Sequence, residues 1–579
     1  MLRKTGFVSF FILLFCAKIT GYAQDIEQAL KNVKATAKED PLAVTGSLGA
    51  SSVFYNAIGI APRRDPFNWV INANLTFSIF NKITIPFAAT FTQQDKNFTN
   101  GLDKFSQPFN QMGISPRYKW LTVHAGYRSI ELSEYSLSGA MFLGGGIEVN
   151  PEKSFVSGTV LFGRFVRAVP IGGVDGITVS LPAYQRWGGG GKIKVGKNNN
   201  YGEFVFFRAK DNEKSIAFDT SLSVTPSENQ VIGINSKQQI NKWLNTEGSF
   251  TYSMFTNNLY DEAVSAGKNY MNGIYTSRSS SQYNKAITAG INFTPKKIKL
   301  GLKYKRIDPD YKTLGAIFLT NDVEEYSVNT SCAIYKNKIN ISASSGLQQN
   351  NLDKIQAATS KRFIGCLNFS YSVTEHLNFV LNYSNFSSNT IPVRDVFTDS
   401  IKLLQLTQSE GANINYSFGK GKIKHNLSFN TAYQESGGNR QSLSTFANGV
   451  ITYNITLPAE LAFNASVIYN QSYAGASINV SAGPSLGIQK SLLNKKMRLH
   501  INSSLQNASL NKVIINKNII LNCGGSYSIN KYNSLKLETS YLTKIAEMQG
   551  AKHFSEYRGT VSYLYTFATG TKNVKVPVK

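Results

Sequence analysis

The sequence is poor in the residues from which thiol, metal and helical membrane sites are built. Its 579 residues include only 4 Cys, 5 His and 16 Pro. After the first two dozen or so residues, no apolar run reaches the roughly 18 residues that a membrane-spanning helix needs, so helical spans are excluded. Charged residues make up 17% and hydrophobic residues 42%, which excludes a disordered chain. The abundant residues are 46 Gly, 36 Phe and 29 Tyr, which favour aromatic-rich strands.

The N-terminus has the features of an export signal. Arg3 and Lys4 precede a short apolar stretch that ends in small residues. This pattern predicts a signal peptide over residues 1–23, cleaved between Ala23 and Gln24. We therefore expect the mature protein to leave the cytoplasm.

Few cysteines remain for an exported protein. Cys16 raises the alternative of a lipid anchor, but the bulky residue before it argues against lipid attachment. Cys332, Cys366 and Cys523 are an odd number, which excludes a complete disulfide framework. Alternation puts Cys332 on an apolar strand face and Cys366 on a polar one, so we expect unpaired thiols.

Residues 24–41 differ from the rest of the chain. Ile26, Leu30 and Val33 recur at helical spacing among charged and amide residues, which predicts a short amphipathic helix in the periplasm. This segment could dock on a partner, plug an opening, or remain a weakly ordered leader.

From Leu42 onward, large apolar residues alternate with small polar ones. The run from His425 to Tyr433 is one example, and residues 377–383 and 498–505 are others. Alternate side chains of a strand point to opposite faces, so each run has one apolar and one polar face. The runs extend over roughly ten to fourteen residues, enough for a tilted strand to cross a bilayer. Length, alternation and export together indicate a transmembrane barrel.

The connections between runs separate this prediction from a soluble β-sandwich, which has no asymmetry of loop length. Short turns and longer polar connections alternate, as in outer-membrane barrels with periplasmic turns and external loops. Short turns are predicted at residues 81–82, 150–153, 197–200, 240–243, 294–297, 336–338, 374–376, 419–421, 457–460, 493–496 and 531–533, and longer loops at 93–108, 257–280, 308–321 and 388–400.

The predicted fold is all-β: an antiparallel up-and-down transmembrane β-barrel over residues 42–567. Both chain ends then lie in the periplasm, which requires an even strand number, and we expect about 26 strands, within 24–28. The region 210–229 could be one loop or a further hairpin. We expect residues 568–579 to form a basic periplasmic tail.

The final strand ends in aromatic residues. Tyr563, Tyr565 and Phe567 share one face of the terminal run. An aromatic-ended last strand resembles the signal that is read by the barrel-insertion machinery, which we therefore expect as a partner. The tail after it departs from a strictly C-terminal signal.

Several segments carry a resemblance to a known group. They are the leader end at residues 21–24, the small-residue stretch 45–51, and the motifs at 64–69, 108–116 and 118–121. These resemble a group of large, mostly uncharacterised outer-membrane β-barrel proteins of Bacteroidota, most clearly over residues 43–169. The resemblance implies the fold and the outer membrane of a Gram-negative bacterium. It carries over no catalytic or binding residue.

Basic residues outnumber acidic ones, with 61 Lys and Arg against 35 Asp and Glu. Alternation places a basic set on the polar, lumen-facing side of the strands: Lys192, Lys194, Lys299, Lys303, Lys305, Arg498, Lys536 and Arg558. A cationic wall concentrates anions. The alternative is that these residues are solvated at the rim, some of them contacting lipopolysaccharide phosphates. Nucleic-acid binding is not expected of an outer-membrane protein.

Catalytic and cofactor sites are not apparent. The histidines are scattered, so no metal site is expected. Acidic groups at residues 308–310 and 322–325 match no calcium-loop spacing. Gly188–Gly191 with Lys192 superficially matches a phosphate loop but lacks the Ser or Thr that follows the Lys. We expect no enzyme activity and no cofactor, although the many serines leave a Ser-His-Asp site formally open.

Two functions fit these features. The first is a diffusion channel or transporter with an anion-favouring lumen. The second is a structural or assembly component of a secretion or surface-display complex, with a periplasmic or surface protein partner. No TonB box or globular plug precedes the first strand, which weakens active receptor-type uptake.

Overall fold

The computed structural model describes residues 42–80, 82–93, 111–169, 182–216, 224–264, 275–392, 403–439, 443–548 and 550–569. The predicted signal peptide, the N-terminal helix and the tail beyond residue 569 lie outside these residues, as does most of the predicted loop 93–108.

The described chain is almost entirely β-strand. The strands are β1 (Leu42–Ile58), β2 (Phe67–Ile79), β3 (Ile83–Thr92), β4 (Gln111–Ile114), β5 (Arg117–Tyr118), β6 (Leu121–Ser129), β7 (Leu137–Ser138), β8 (Met141–Val149), β9 (Val156–Val166), β10 (Arg186–Lys197), β11 (Asn200–Asp211), β12 (Glu228–Gln239), β13 (Leu244–Thr256), β14 (Ser281–Phe293), β15 (Ile298–Ile307), β16 (Gly315–Ala316), β17 (Val323–Ile334), β18 (Ile339–Gln349), β19 (Ala358–Ser372), β20 (Leu377–Pro392), β21 (Leu403–Phe418), β22 (Lys424–Gly438), β23 (Ser444–Leu457), β24 (Leu461–Ala474), β25 (Ser477–Leu492), β26 (Met497–Leu510), β27 (Val513–Ser528), β28 (Asn533–Ala546) and β29 (Phe554–Thr569). A 3-10 turn, Pro458–Glu460, joins β23 to β24.

The main sheet closes on itself. Its first and last strands pair antiparallel from Val44 opposite Thr569 to Ile58 opposite Ser555. The short segments β4 and β5 both lie between β3 and β6 and form one interrupted strand, so the 27 paired segments make a barrel of 26 strands. Closure leaves no free edge and pairs the backbone amides that hydrocarbon cannot solvate. The predicted barrel is confirmed, and the last strand runs two residues past the predicted end, to Thr569.

The outward face of the barrel is apolar. Side chains such as Phe162, Val467 and Leu486 are each about three-fifths exposed, and polar or small residues alternate with them on the inward face. Aromatic rings stack near the strand ends, for example Tyr565 with Phe567 at 5.1 Å between centroids. An apolar belt with aromatic residues at its borders is the surface that an outer-membrane barrel presents to lipid.

The short turns lie between strands as predicted, at one end of the barrel, which we call the short-turn end. The opposite end, the long-loop end, is less uniform than expected. β24 and β25 are joined by two residues at 475–476, and β26 and β27 by Asn511 and Lys512. Because β11 pairs directly with β12, the described part of the region 210–229 adds no further strand to the wall between them. In the described residues, no helix is long and apolar enough to cross a membrane.

The three cysteines test the orientation of the strands. Cys366 lies on the inward face, with its Sγ 2.9 Å from Ser344 Oγ. Cys332 and Cys523 have the register of outward residues, such as Val328 and Leu521, and all three thiols are free. We expect a charged, water-soluble thiol reagent to label Cys366 but not the other two in lipid vesicles, and all three after denaturation. Peptide mass mapping would measure this, with Cys366→Ser as the control; labelling of Cys332 or Cys523 in vesicles would contradict the assigned faces.

Candidate functional site

Two connections at the long-loop end fold into the barrel and pair with each other. Residues 130–140, between β6 and β8, and residues 311–316, between β15 and β17, are called here the inner loop pair. β7 and β16 form a two-stranded parallel sheet, in which Leu137 is opposite Gly315. The Tyr311 hydroxyl donates to Tyr135 O at 2.6 Å, and Thr313 Oγ1 donates to Ser136 O at 2.5 Å. Burial raises the pKa of Tyr311, which keeps its hydroxyl protonated as a donor.

The inner loop pair is docked on the inward face of the wall by apolar contacts. Leu132 and Leu137 join a buried cluster with Phe142 of β8, Leu161 of β9 and Phe207 of β11. Leu137, Phe142 and Phe207 have no solvent exposure. Burying such a side chain stabilises a structure by about 1.5–3 kcal/mol, so a few of them suffice to hold a loop of this size.

Polar contacts fix the position of the same loops. The Lys192 ammonium donates to Glu131 O at 3.1 Å, and Lys305 forms an ion pair with Glu134 at 3.0 Å. The Tyr135 hydroxyl lies 2.6 Å from Thr288 Oγ1. Two of the predicted lumen lysines therefore position the inner loop pair.

The glycine cluster Gly188–Gly191 lies within β10 and forms no phosphate loop. A Cβ at Gly190 would come within 3.1 Å of Leu132 Cδ1 and 2.3 Å of a backbone oxygen of β11. The absence of side chains here lets the inner loop pair approach the wall. The sheet also shifts register between Arg186 and Trp187, just before the glycine cluster.

Sequence reasoning missed the inner loop pair. The prediction assigned a polar face to the lumen, whereas β9 and β11 have apolar residues on both faces in their central parts. In β9, Val160 and Phe162 point outward, and Leu161 and Phe165 point inward to buried positions. A strand that is apolar on both faces must be covered on both. That local loss of alternation was the available signal.

The described register places all eight predicted basic residues on the inward face of the sheet. Several have acidic neighbours: Lys194 lies 3.9 Å from Glu203, and Lys536 lies 3.1 Å from Glu538. Among the residues that the structure describes, Lys192 forms no ion pair but donates to Glu131 O. Within the described part of the chain, the other four also form no ion pair: Lys299, Lys303, Arg498 and Arg558.

The depth of these four differs. Lys299 and Arg498 are each the second residue of a strand that begins at the short-turn end, so they lie at that mouth of the barrel. Lys303 and Arg558 lie further along β15 and β29, within the wall. Lys299 and Arg498 therefore fit the alternative that basic residues are solvated at the rim, whereas Lys303 and Arg558 face the lumen.

The acidic loop groups are occupied by hydrogen bonds of the protein. Asp322 accepts from the backbone N–H of Asn351 at 2.8 Å and of Leu352 at 2.9 Å, and Asp308 accepts from Lys285 N at 3.0 Å. The residues that the structure describes contain no group of three or more potential metal ligands.

The closed barrel, its apolar belt and its polar lumen define the class: this is an outer-membrane β-barrel protein of a Gram-negative bacterium. Its architecture is consistent with a channel or transporter.

No protein-family model and no curated protein matches the chain. Among solved structures, the siderophore receptor PirA from Pseudomonas aeruginosa is 6% identical, with 91% of this chain and 80% of that chain covered, at a TM-score of 0.35. The P pilus usher PapC translocation pore is 10% identical, with 91% and 99% covered, at 0.37. OccK10 of Pseudomonas aeruginosa is 9% identical, with 65% and 100% covered, at 0.32. These are similarities of architecture.

Proposed function

We propose that this protein is a passive channel of the outer membrane whose lumen favours anions. The observation that carries the proposal is the unpaired charge on the inward face: Lys303 and Arg558 lie within the wall without an ion-pair partner among the described residues. Fixed positive charges along a water-filled passage raise the local concentration of anions and repel cations.

Ion pairs on the inward face reduce the number of basic residues that contribute to the anion preference. Glu203, Glu134 and Glu538 each neutralise a neighbouring lysine, so the anion preference comes from only part of the basic set. We therefore expect a moderate preference that salt screens, because a Debye length of about 10 Å at 0.1 M falls to about 3 Å at 1 M.

Reconstitution in planar bilayers tests the proposal. We expect stepwise conductance. In a KCl gradient the reversal potential should lie towards the equilibrium potential of chloride, and at high salt it should approach that of a channel without ion selectivity. A gel on which the unboiled protein migrates anomalously confirms in advance that the barrel is folded. Silence in bilayers, together with co-purification of a periplasmic or surface protein, would instead favour the alternative of an assembly component.

A further inference from the structure

A row of asparagines crosses the inward wall formed by the second half of the chain. Directly opposed residues on neighbouring strands point to the same face. The pairing runs from Asn426 to Asn454, Asn464, Gly487, Asn502 and Asn522, one residue from each of six consecutive strands. We call the five asparagines the amide row. The residues next to the row along each strand belong to the outer face, and Leu427, Phe463 and Ile501 are exposed apolar examples.

A glycine in the middle of the amide row lets its members meet. A Cβ at Gly487 would lie 2.1 Å from Asn502 Oδ1 and 2.3 Å from Asn464 Oδ1, so both amides extend over this position from the flanking strands. Asn464 Nδ2 donates to Asn502 Oδ1 at 3.5 Å across the strand between them. At this distance the contact is weak, so amide groups of both residues remain available to a solute.

The amide row runs obliquely along the lumen, from the short-turn end towards the long-loop end. Asn426 is the third residue of β22, which begins at the short-turn end. Each later member lies at the same depth or deeper, and Asn522 is the seventh residue from the short-turn end of β27. Strands of such barrels tilt by about 35–45°, so a row perpendicular to them rises along the barrel axis. Neighbouring members are one strand spacing apart, roughly 4.8 Å, except across Gly487.

The row leads to an unpaired arginine. Beyond Asn522 the register continues through Ser540 to Arg558, which is the fifth residue of β29 from the long-loop end. Arg558 is exposed and forms no ion pair within the described chain. The pairing therefore aligns five neutral amides and one free guanidinium along the inward wall, from near one mouth towards the other.

We infer that the solute of this channel is a hydroxylated anion, of the class of acidic saccharides. An amide offers donor and acceptor together, which matches a hydroxyl group, and a guanidinium binds a carboxylate with two parallel hydrogen bonds. Repeated weak sites along a wall permit movement because no single site holds the solute. This inference rests on the proposed channel function and specifies its substrate class.

Gly487→Ala tests the inference, because the added methyl displaces the ends of two flexible amide side chains. The matched control is Gly449→Ala in β23, where a Cβ meets nothing within 4 Å and the register is that of outward Tyr469. The probes are a uronic acid oligomer, the matching neutral glucose oligomer, and a dicarboxylate without hydroxyl groups. Concentration-dependent interruption of the open-channel current measures the affinity for each.

We expect wild type to bind the uronic acid oligomer more tightly than the other two probes. Loss of two amide contacts in Gly487→Ala should weaken binding of both saccharides about tenfold, whereas Gly449→Ala should match wild type. Arg558→Gln should abolish the preference for the acidic over the neutral saccharide. Equal affinity for the dicarboxylate, or unchanged saccharide block in Gly487→Ala, would overturn the inference.

A failure of the channel proposal can be distinguished from a failure of the saccharide inference. If the wild-type protein carries no current, isothermal calorimetry on the detergent-solubilised barrel still measures whether the uronic acid oligomer binds and whether Gly487→Ala weakens it. Binding without current would overturn the channel function and support the amide row as a saccharide site. Current without selective binding would support the channel and overturn the saccharide inference.

Discussion

Replacing Leu137 with aspartate is expected to release the inner loop pair from the wall while the barrel stays folded. Leu137 has no solvent exposure and packs in the apolar cluster with Phe142 and Leu161. A carboxylate there would be desolvated without a partner, at a cost of several kcal/mol, which exceeds what the remaining contacts of one loop can offset. The wall strands should persist, because their backbone pairing does not involve this side chain.

Two measurements check the release. Limited proteolysis should cut within residues 130–140 in Leu137→Asp but not in wild type, and the mean open-channel conductance should rise as the loops leave the lumen. Ile355→Asp is the matched control, since Ile355 is 83% exposed in another connection at the same end. Leu137→Asp that resists the protease like wild type would show that the loop is held by other contacts.

Reversing the four unpaired charges is expected to change the ion preference from anions to cations. The variant is Lys299→Glu, Lys303→Glu, Arg498→Glu and Arg558→Glu together. In water a unit charge about 8 Å from a passing ion contributes roughly 0.5 kcal/mol before screening. A reversal changes the charge by two units and acts with opposite sign on the two ions, so at each site the balance between chloride and potassium shifts by about 2 kcal/mol before screening. Because salt screens each site, we expect the chloride-to-potassium permeability ratio to fall by roughly tenfold at low salt.

The reversal potential in a KCl gradient measures this shift. The control reverses four exposed lysines in turns and loops, which changes the net charge equally without altering the inward face: Lys296, Lys336, Lys354 and Lys420. An equal shift in both variants would assign the preference to overall charge, and no shift in either would contradict a charged lumen.

Much of the fold could be predicted because alternation is a local property. A strand such as β22 shows in its own residues that one face meets lipid and the other meets water. The short turns were found for the same reason, since turn residues act within a few positions. The faces of Cys332 and Cys366 followed from their nearest neighbours in sequence.

The candidate site was predicted only in part. The inward direction of Lys192 and Lys305 follows from alternation, but their binding to the loop segment containing Glu131 and Glu134 joins residues far apart in sequence. Glu131 lies more than sixty residues before Lys192, and Glu134 lies more than a hundred and seventy residues before Lys305. Nothing in the sequence near either lysine indicates that this distant loop covers the wall. Only the apolar inward face of β9 and β11 indicated that something does.

The amide row, too, could be predicted from the sequence only in part. That each asparagine faces inward is determined by the sequence, because each has an outward apolar residue next to it in its strand. That five of them fall in one line rising to Arg558 is decided by the register of eight strands relative to one another. The sequence by itself determined which residues face lipid, since that depends on neighbours along one strand. The tertiary structure decided which inward residues meet, since a shift of register between strands moves whole rows past each other while leaving the alternation of each strand unchanged.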